Sequence, residues 1–145
     1  MKTSEGVKSD VKVSDIASNA THAHTIDTIG FGYAAIDVAF EPVLAAGTNS
    51  AVAKVITLEH GDSTSSFSAV TGFVSGTNYT IPTPANTNVT SIVRFNVDLE
   101  GKKRYLKVSV TPQTDIAVAT NVRLDLSEKV PTDATSAGVN VFVSG

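Results

Sequence analysis

Residues 106–111 alternate without a break: Leu106, Val108 and Val110 take one parity, Lys107, Ser109 and Thr111 the other. A period of two is the spacing of a strand with one buried face. The same period returns at Ile36, Val38 and Phe40, at Ile116, Val118, Val122, Leu124 and Leu126, and at Val139, Val141 and Val143. No stretch sustains a 3.6-residue period, so helices are not expected. Strand-like runs fall at 25–31 (anchored by Ile26 and Ile29), 34–43, 52–59, 67–73, 92–99, 105–111, 116–126 and 139–143. Short strands separated by Gly, Ser, Thr and Asn turns predict an all-β fold, an antiparallel β-sandwich with a jelly roll as the leading arrangement. The basic turn Gly101-Lys102-Lys103-Arg104 between two runs predicts a hairpin of 92–99 with 105–111.

Size and charge narrow the function. The 145 residues suit one domain with a core of its own. There is no cysteine, which removes disulfides and thiolate metal sites. A net charge of -3 argues against a nucleic-acid partner. No window approaches the ~18 apolar residues of a membrane span. No apolar leader follows Met1. These features give the expectation of a soluble protein made in a cytoplasm, with no nucleic acid and no membrane as partner.

Two segments stand apart from the regular strands. Residues 1–22 are polar and mixed in charge, with Val7, Val11, Val13 and Ile16 too sparse for a core element. They are expected to form an extended arm that either frays or orders on a neighbouring subunit, leaving 23–145 as the β-domain. Residues 75–91 are the least regular stretch and hold Tyr79 and Ile81. They are expected either to offer those two side chains to a partner or to fold onto their own domain. Val7, Val11, Val13, Ile16, Tyr79 and Ile81 are therefore the predicted interaction residues.

The search for reacting groups returns little. His22 and His24 share one face of a strand and would need a further ligand to hold a metal; plain surface histidines are the expectation. His60-Gly61-Asp62-Ser63 holds the three residue types of a hydrolase triad. Triad members normally come from separate elements, so a turn is expected there. No G-x-S-x-G elbow, third glycine after Gly30-Phe31-Gly32, or phosphate loop occurs. Lys102, Lys103 and Arg104 read as a solvated cluster that deters edge pairing. No enzyme activity, cofactor or metal is expected. A carbohydrate-binding module would want aromatic platforms, yet the chain has no Trp and three Tyr.

Two motifs carry a resemblance. Residues 55–67 read Val-Ile-Thr-Leu-Glu-His-Gly-Asp-Ser-Thr-Ser-Ser-Phe. They resemble an apolar strand followed by a D-G-S/T-x-S/T-aromatic loop, with Phe67 where Trp is frequent. Residues 101–111 resemble a G-x-K-R-Y strand with alternating hydrophobic positions, and residues 35–40 resemble the strand that opens the same module. Over roughly residues 30–125 the chain is similar to small structural proteins encoded near the capsid genes of tailed bacteriophages. The resemblance implies a virion component: a cement or decoration protein on the head surface, with the major capsid protein and further copies of itself, as a homotrimer, for partners. A tail, neck or head-fibre protein, or a glycan- or host-surface-binding module, are the alternatives.

Overall fold

The computed structural model describes residues 8–42, 52–83, 89–126 and 139–145. Among them are nine strands: β1 (Lys8–Ile16), β2 (His22–Asp27), β3 (Tyr33–Phe40), β4 (Ala53–Gly61), β5 (Ser68–Val74), β6 (Ser91–Asp98), β7 (Tyr105–Pro112), β8 (Ile116–Asp125) and β9 (Val141–Ser144). They form a five-stranded sheet, β1-β8-β3-β6-β9, facing a four-stranded sheet, β2-β7-β4-β5. The pairs β1·β8, β2·β7, β3·β6 and β4·β5 nest inside one another, and β8 also lies against β3 and β7 against β4. This is the strand order of a jelly roll: one long eight-stranded hairpin rolled into two sheets. All these pairs are antiparallel; β9 departs from the expectation by joining the far edge parallel to β6.

Alternation decides which residues meet between the sheets. Ala34, Ile36, Val38 and Phe40 of β3, Val93, Phe95 and Val97 of β6, and Val118, Val122 and Leu124 of β8 are fully buried from one side. Ile26, Ile56, Leu58, Phe73, Leu106, Val108 and Val110 meet them from the other. Each Val, Leu, Ile or Phe among them contributes roughly 1.5–3 kcal/mol on burial. Tyr105, Lys107 and Ser109 alternate outward, as the period of two requires. Ile29, expected as an anchor, is 63% exposed. It lies beyond the end of β2, in the turn where Phe31 N–H donates to the Thr28 carbonyl.

The hairpin expected from 92–99 and 105–111 does not form. β6 belongs to the five-stranded sheet and β7 to the four-stranded one. Their connection carries the chain between layers: Lys102 N–H closes a turn on the Leu99 carbonyl while Gly101 takes a φ of 71°, which a side chain resists. The arm expected over 1–22 is also redrawn. Residues 8–16 pair with β8 of their own chain over nine positions, so the boundary at 22 divides the sandwich and does not precede it. A β-strand needs only the ladder and one good anchor here, and Ile16, 7% exposed, supplies it.

Residues 75–83 fold onto their own domain. Tyr79 donates its hydroxyl to the Ile56 carbonyl at 2.6 Å and packs edge-on against Phe95. Burial pushes its phenol well above the usual range. Ile81 is 8% exposed and belongs to the core. Tyr79→Phe removes one hydrogen bond and keeps the ring, so chemical denaturation should show a loss of about 1 kcal/mol.

Candidate functional site

The outer face of the five-stranded sheet breaks the rule that outward positions are polar. Register aligns Val13 of β1 with Ala119 of β8, Ala119 with Ala39 of β3, and Ala39 with Ile92 of β6. The row is apolar across four strands. Ala117, opposite Asp15, extends it along β8, and Val11 flanks it on β1. Val11 and Val13 are 60% and 66% exposed, so the apolar side chains at this edge lie in solvent. Between them and β3, the alanines leave a shallow recess lined by Val13, Ala39, Ala117 and Ala119, with Glu41 and Thr90 at its rim. Glu41 is held there by accepting the Ala117 N–H at 2.7 Å. Small side chains on a flat sheet allow close approach by another flat surface, and contiguous apolar exposure marks a contact site.

The neighbouring outward row carries a charged pair. Asp37 and Arg94, opposite each other on β3 and β6, form a two-pronged ion pair, with Nη2 to Oδ2 at 2.6 Å. The hydrogen bond that Arg94 donates to Asp37 is the main force raising the Arg94 pKa. Burial pushes the Tyr33 phenol up to about 12, against the pull of Arg94 and Arg123. Planar pairing fixes the guanidinium in one orientation. The apolar row crosses the sheet at one level, and the Asp37–Arg94 pair lies one outward position along β3 and β6 from it.

Residues 55–67 and 101–111 come together at one corner of the opposite sheet. β4 and β7 are neighbours, with His60 opposite Leu106 and Gly61 opposite Tyr105. Lys103 reaches Asp62 at 2.8 Å, and its N–H donates to His60 Nδ1. Arg104 grips Asp27 through two hydrogen bonds, at 2.9 and 2.7 Å, and lies over the Tyr105 ring. The first of those interactions holds the Asp27 carboxyl at about 2. Lys107 pairs with Glu59 at 2.9 Å and stacks over Phe67. The polar groups of this corner are spent on each other. Ser63 Oγ meets Ser65 Oγ at 3.2 Å, while His60 and Asp62 both engage Lys103, so the contacts of the three residues lead to Ser65 and Lys103 and form no triad.

The histidines are placed differently from the expectation. His22 and His24 are 3% and 5% exposed, so they are not surface residues. They face inward from β2 against the inner side of β1. Among the described residues, no group of three or more His, Cys, Asp or Glu is positioned to hold a metal ion.

Of the predicted interaction residues, Val11 and Val13 stand on the apolar face. Ile16 and Ile81 are in the core and Tyr79 is packed onto it, because each continues the inward parity or fills the open end beside β4. Val7 lies outside the described residues. The sequence reading missed Ala39, Ala117, Ala119 and Ile92. Their signal was present: outward parity on β3, β6 and β8 with alanine or isoleucine where a half-exposed strand ordinarily carries a polar residue.

No protein-family model and no curated protein matches this chain.

Proposed function

We propose that this protein is a structural virion component, a cement protein bound to the outer surface of a phage head, acting as a homotrimer on the major capsid protein. The observation that carries the reading is the apolar row Val13–Ala119–Ala39–Ile92 with Val11 beside it, continuous across four neighbouring strands; among the described residues the other exposed large apolar side chains are Ile29 beyond β2, Val55 on β4 and Leu126 beyond β8. The occupant of that face in this reading is the capsid lattice. A flat, small-residue surface gives shape complementarity without deep pockets, and many copies on a lattice add up weak single contacts. The jelly-roll core supplies rigidity, and the resemblance at residues 55–67 and 101–111 points to the same class. Against the glycan-binding alternative stands the state of the tyrosines: Tyr79 packs on Phe95, Tyr105 lies under Arg104, and the Tyr33 hydroxyl is buried. None presents a free flat ring to a sugar.

Two measurements test the proposal. Light scattering on the purified chain should give three times the 15.0 kDa chain mass, and a strict monomer would remove the trimer. Co-sedimentation with heads of the phage that encodes the chain should show saturable binding. The double variant Val11→Glu, Val13→Glu should bind at least about tenfold more weakly while its unfolding free energy changes by no more than about 1 kcal/mol, since both positions are exposed strand sites. Unchanged binding by that variant would exclude this face as the contact.

A further inference from the structure

β1 is an inverted strand. Its outward side chains include Val11 and Val13, while the side turned toward the sandwich carries Asp10, Lys12 and Ser14 and only then Ile16. What it covers is a polar cluster between the sheets. His22 Nδ1 lies 3.2 Å from Ser14 Oγ of β1, and its Nε2 lies 2.6 Å from Thr120 Oγ1 of β8. His24 Nε2 lies 3.4 Å from Asp10 of β1, and its Nδ1 is buried with no hydrogen-bond partner. Lys12 reaches past the pair to the Ala23 carbonyl. Across β2, the opposing β7 residues are Val108 and Val110, which offer no charge. Among the described residues, the charged and titratable groups around His22 are thus Lys12 from β1 and His24 from its own strand, with Asp10 of β1 against His24.

We propose that this cluster is a pH-operated latch: protonation of His22 releases β1 from the sandwich while the remaining strands stay folded. An imidazolium at this site is held out of water between the Ser14 and Thr120 hydroxyls with the Lys12 ammonium close by, and is better solvated once β1 lifts away. β1 is the element that yields. It is an edge strand, Ile16 is its single buried apolar anchor, and water replaces the backbone bonds it makes to β8. β2 is pinned by fully buried Ile26 and cannot move as readily. Burial, then Lys12, then His24 lower the His22 pKa from 6.5. The sign follows: below about 6.5 the unfolded or released chain binds more protons than the docked form, so docking is complete above that pH and weakens as pH falls through it. If the proposed capsid role holds, acidification also withdraws Val11 and Val13 from the lattice-facing surface; the latch itself does not depend on that role.

Amide hydrogen exchange on the free protein tests it, with rates normalised to intrinsic exchange at each pH. Between pH about 7.5 and about 5, protection at residues 11–14 should fall at least about tenfold, with β3, β6 and β7 unchanged. The release midpoint should coincide with the His22 ring titration followed by NMR. His22→Gln should make β1 protection independent of pH. If that variant does not fold, Lys12→Met serves instead: removing the lysine charge should shrink the pH response. Constant β1 protection in the native protein, a fall shared by all strands, an equal fall in His22→Gln, or an undiminished one in Lys12→Met would each overturn the latch. Because no capsid is used, failure here leaves the proposed role untouched, and failure of head binding leaves the latch untouched.

Discussion

Phe95→Ala lowers the unfolding free energy by about 3–5 kcal/mol, the loss expected for deleting a fully buried ring whose cavity cannot close. Phe95 projects from β6 of the five-stranded sheet and is 0% exposed. Its ring meets Phe73, from β5 of the other sheet, edge-on at 5.7 Å between centroids, and Tyr79 at 5.6 Å. These three rings join the two layers at the end of the sandwich where β9 adds its strand. Edge-to-face pairs add about 0.5–1.5 kcal/mol beyond buried area, so two pairs vanish together with the ring. Against a total stability of about 5–15 kcal/mol this is a large share, and the variant should unfold at much lower urea concentration with an unchanged denaturant slope. Phe95→Leu keeps most of the volume and should lose less than half as much. A loss below about 1 kcal/mol for the alanine variant would mean that the rings do not bridge the sheets as described.

Gly61→Ala is the second large effect, and its cause is space. A Cβ at this position would lie 2.1 Å from the Ser66 carbonyl oxygen, 3.0 Å from that of Ser63 and 3.2 Å from Phe67 Cδ1. The first two are backbone atoms and cannot rotate aside, so the 62–67 loop must open. Opening it separates Asp62 from Lys103 and lifts Phe67 from under Lys107. The expected loss is about 2–3 kcal/mol, the upper part of the overpacking range, visible in denaturation and as faster exchange across 61–67. Ser63→Ala, whose hydroxyl meets only Ser65 among the contacts seen, should stay within about 0.5 kcal/mol of the native protein. A neutral Gly61→Ala would contradict the tight loop. Gly61 gives the loop room, and Lys103 closes it through Asp62.

Strand positions were legible because parity is local. Ile36, Val38 and Phe40 or Leu106, Val108 and Val110 declare a buried face without reference to anything else. Pairing is not local. Residues 92–99 and 105–111 are consecutive and separated by a glycine turn, which reads as a hairpin, yet the turn spans two layers because β3 already occupies one side of β6 and β2 and β4 flank β7. Burial of polar residues was also hidden. His22 and His24 have the parity of Ile26 on β2, but a histidine at such a position says inward only if a partner is known to cover it, and β1 was read as an arm. The same misreading put Ile16 on a surface. For the candidate contact face, Val11 and Val13 were recovered by their apolar character in a polar segment. Ala39, Ala117 and Ala119 were not, since alanine is compatible with either side of a sheet and becomes informative only when register lines Ala119 and Ala39 up beside Val13, with Ala117 next along β8.

The claim that most needs a direct test is attachment to a capsid lattice. Electron microscopy of heads purified with the protein, and of heads made without it, answers it in one comparison. The account predicts regular extra density on the outer surface at three-fold positions of the lattice, present only when the protein is, with the β1–β8 edge of the five-stranded sheet turned toward the shell. Density confined to a portal or tail, or identical maps from the two preparations, would contradict it.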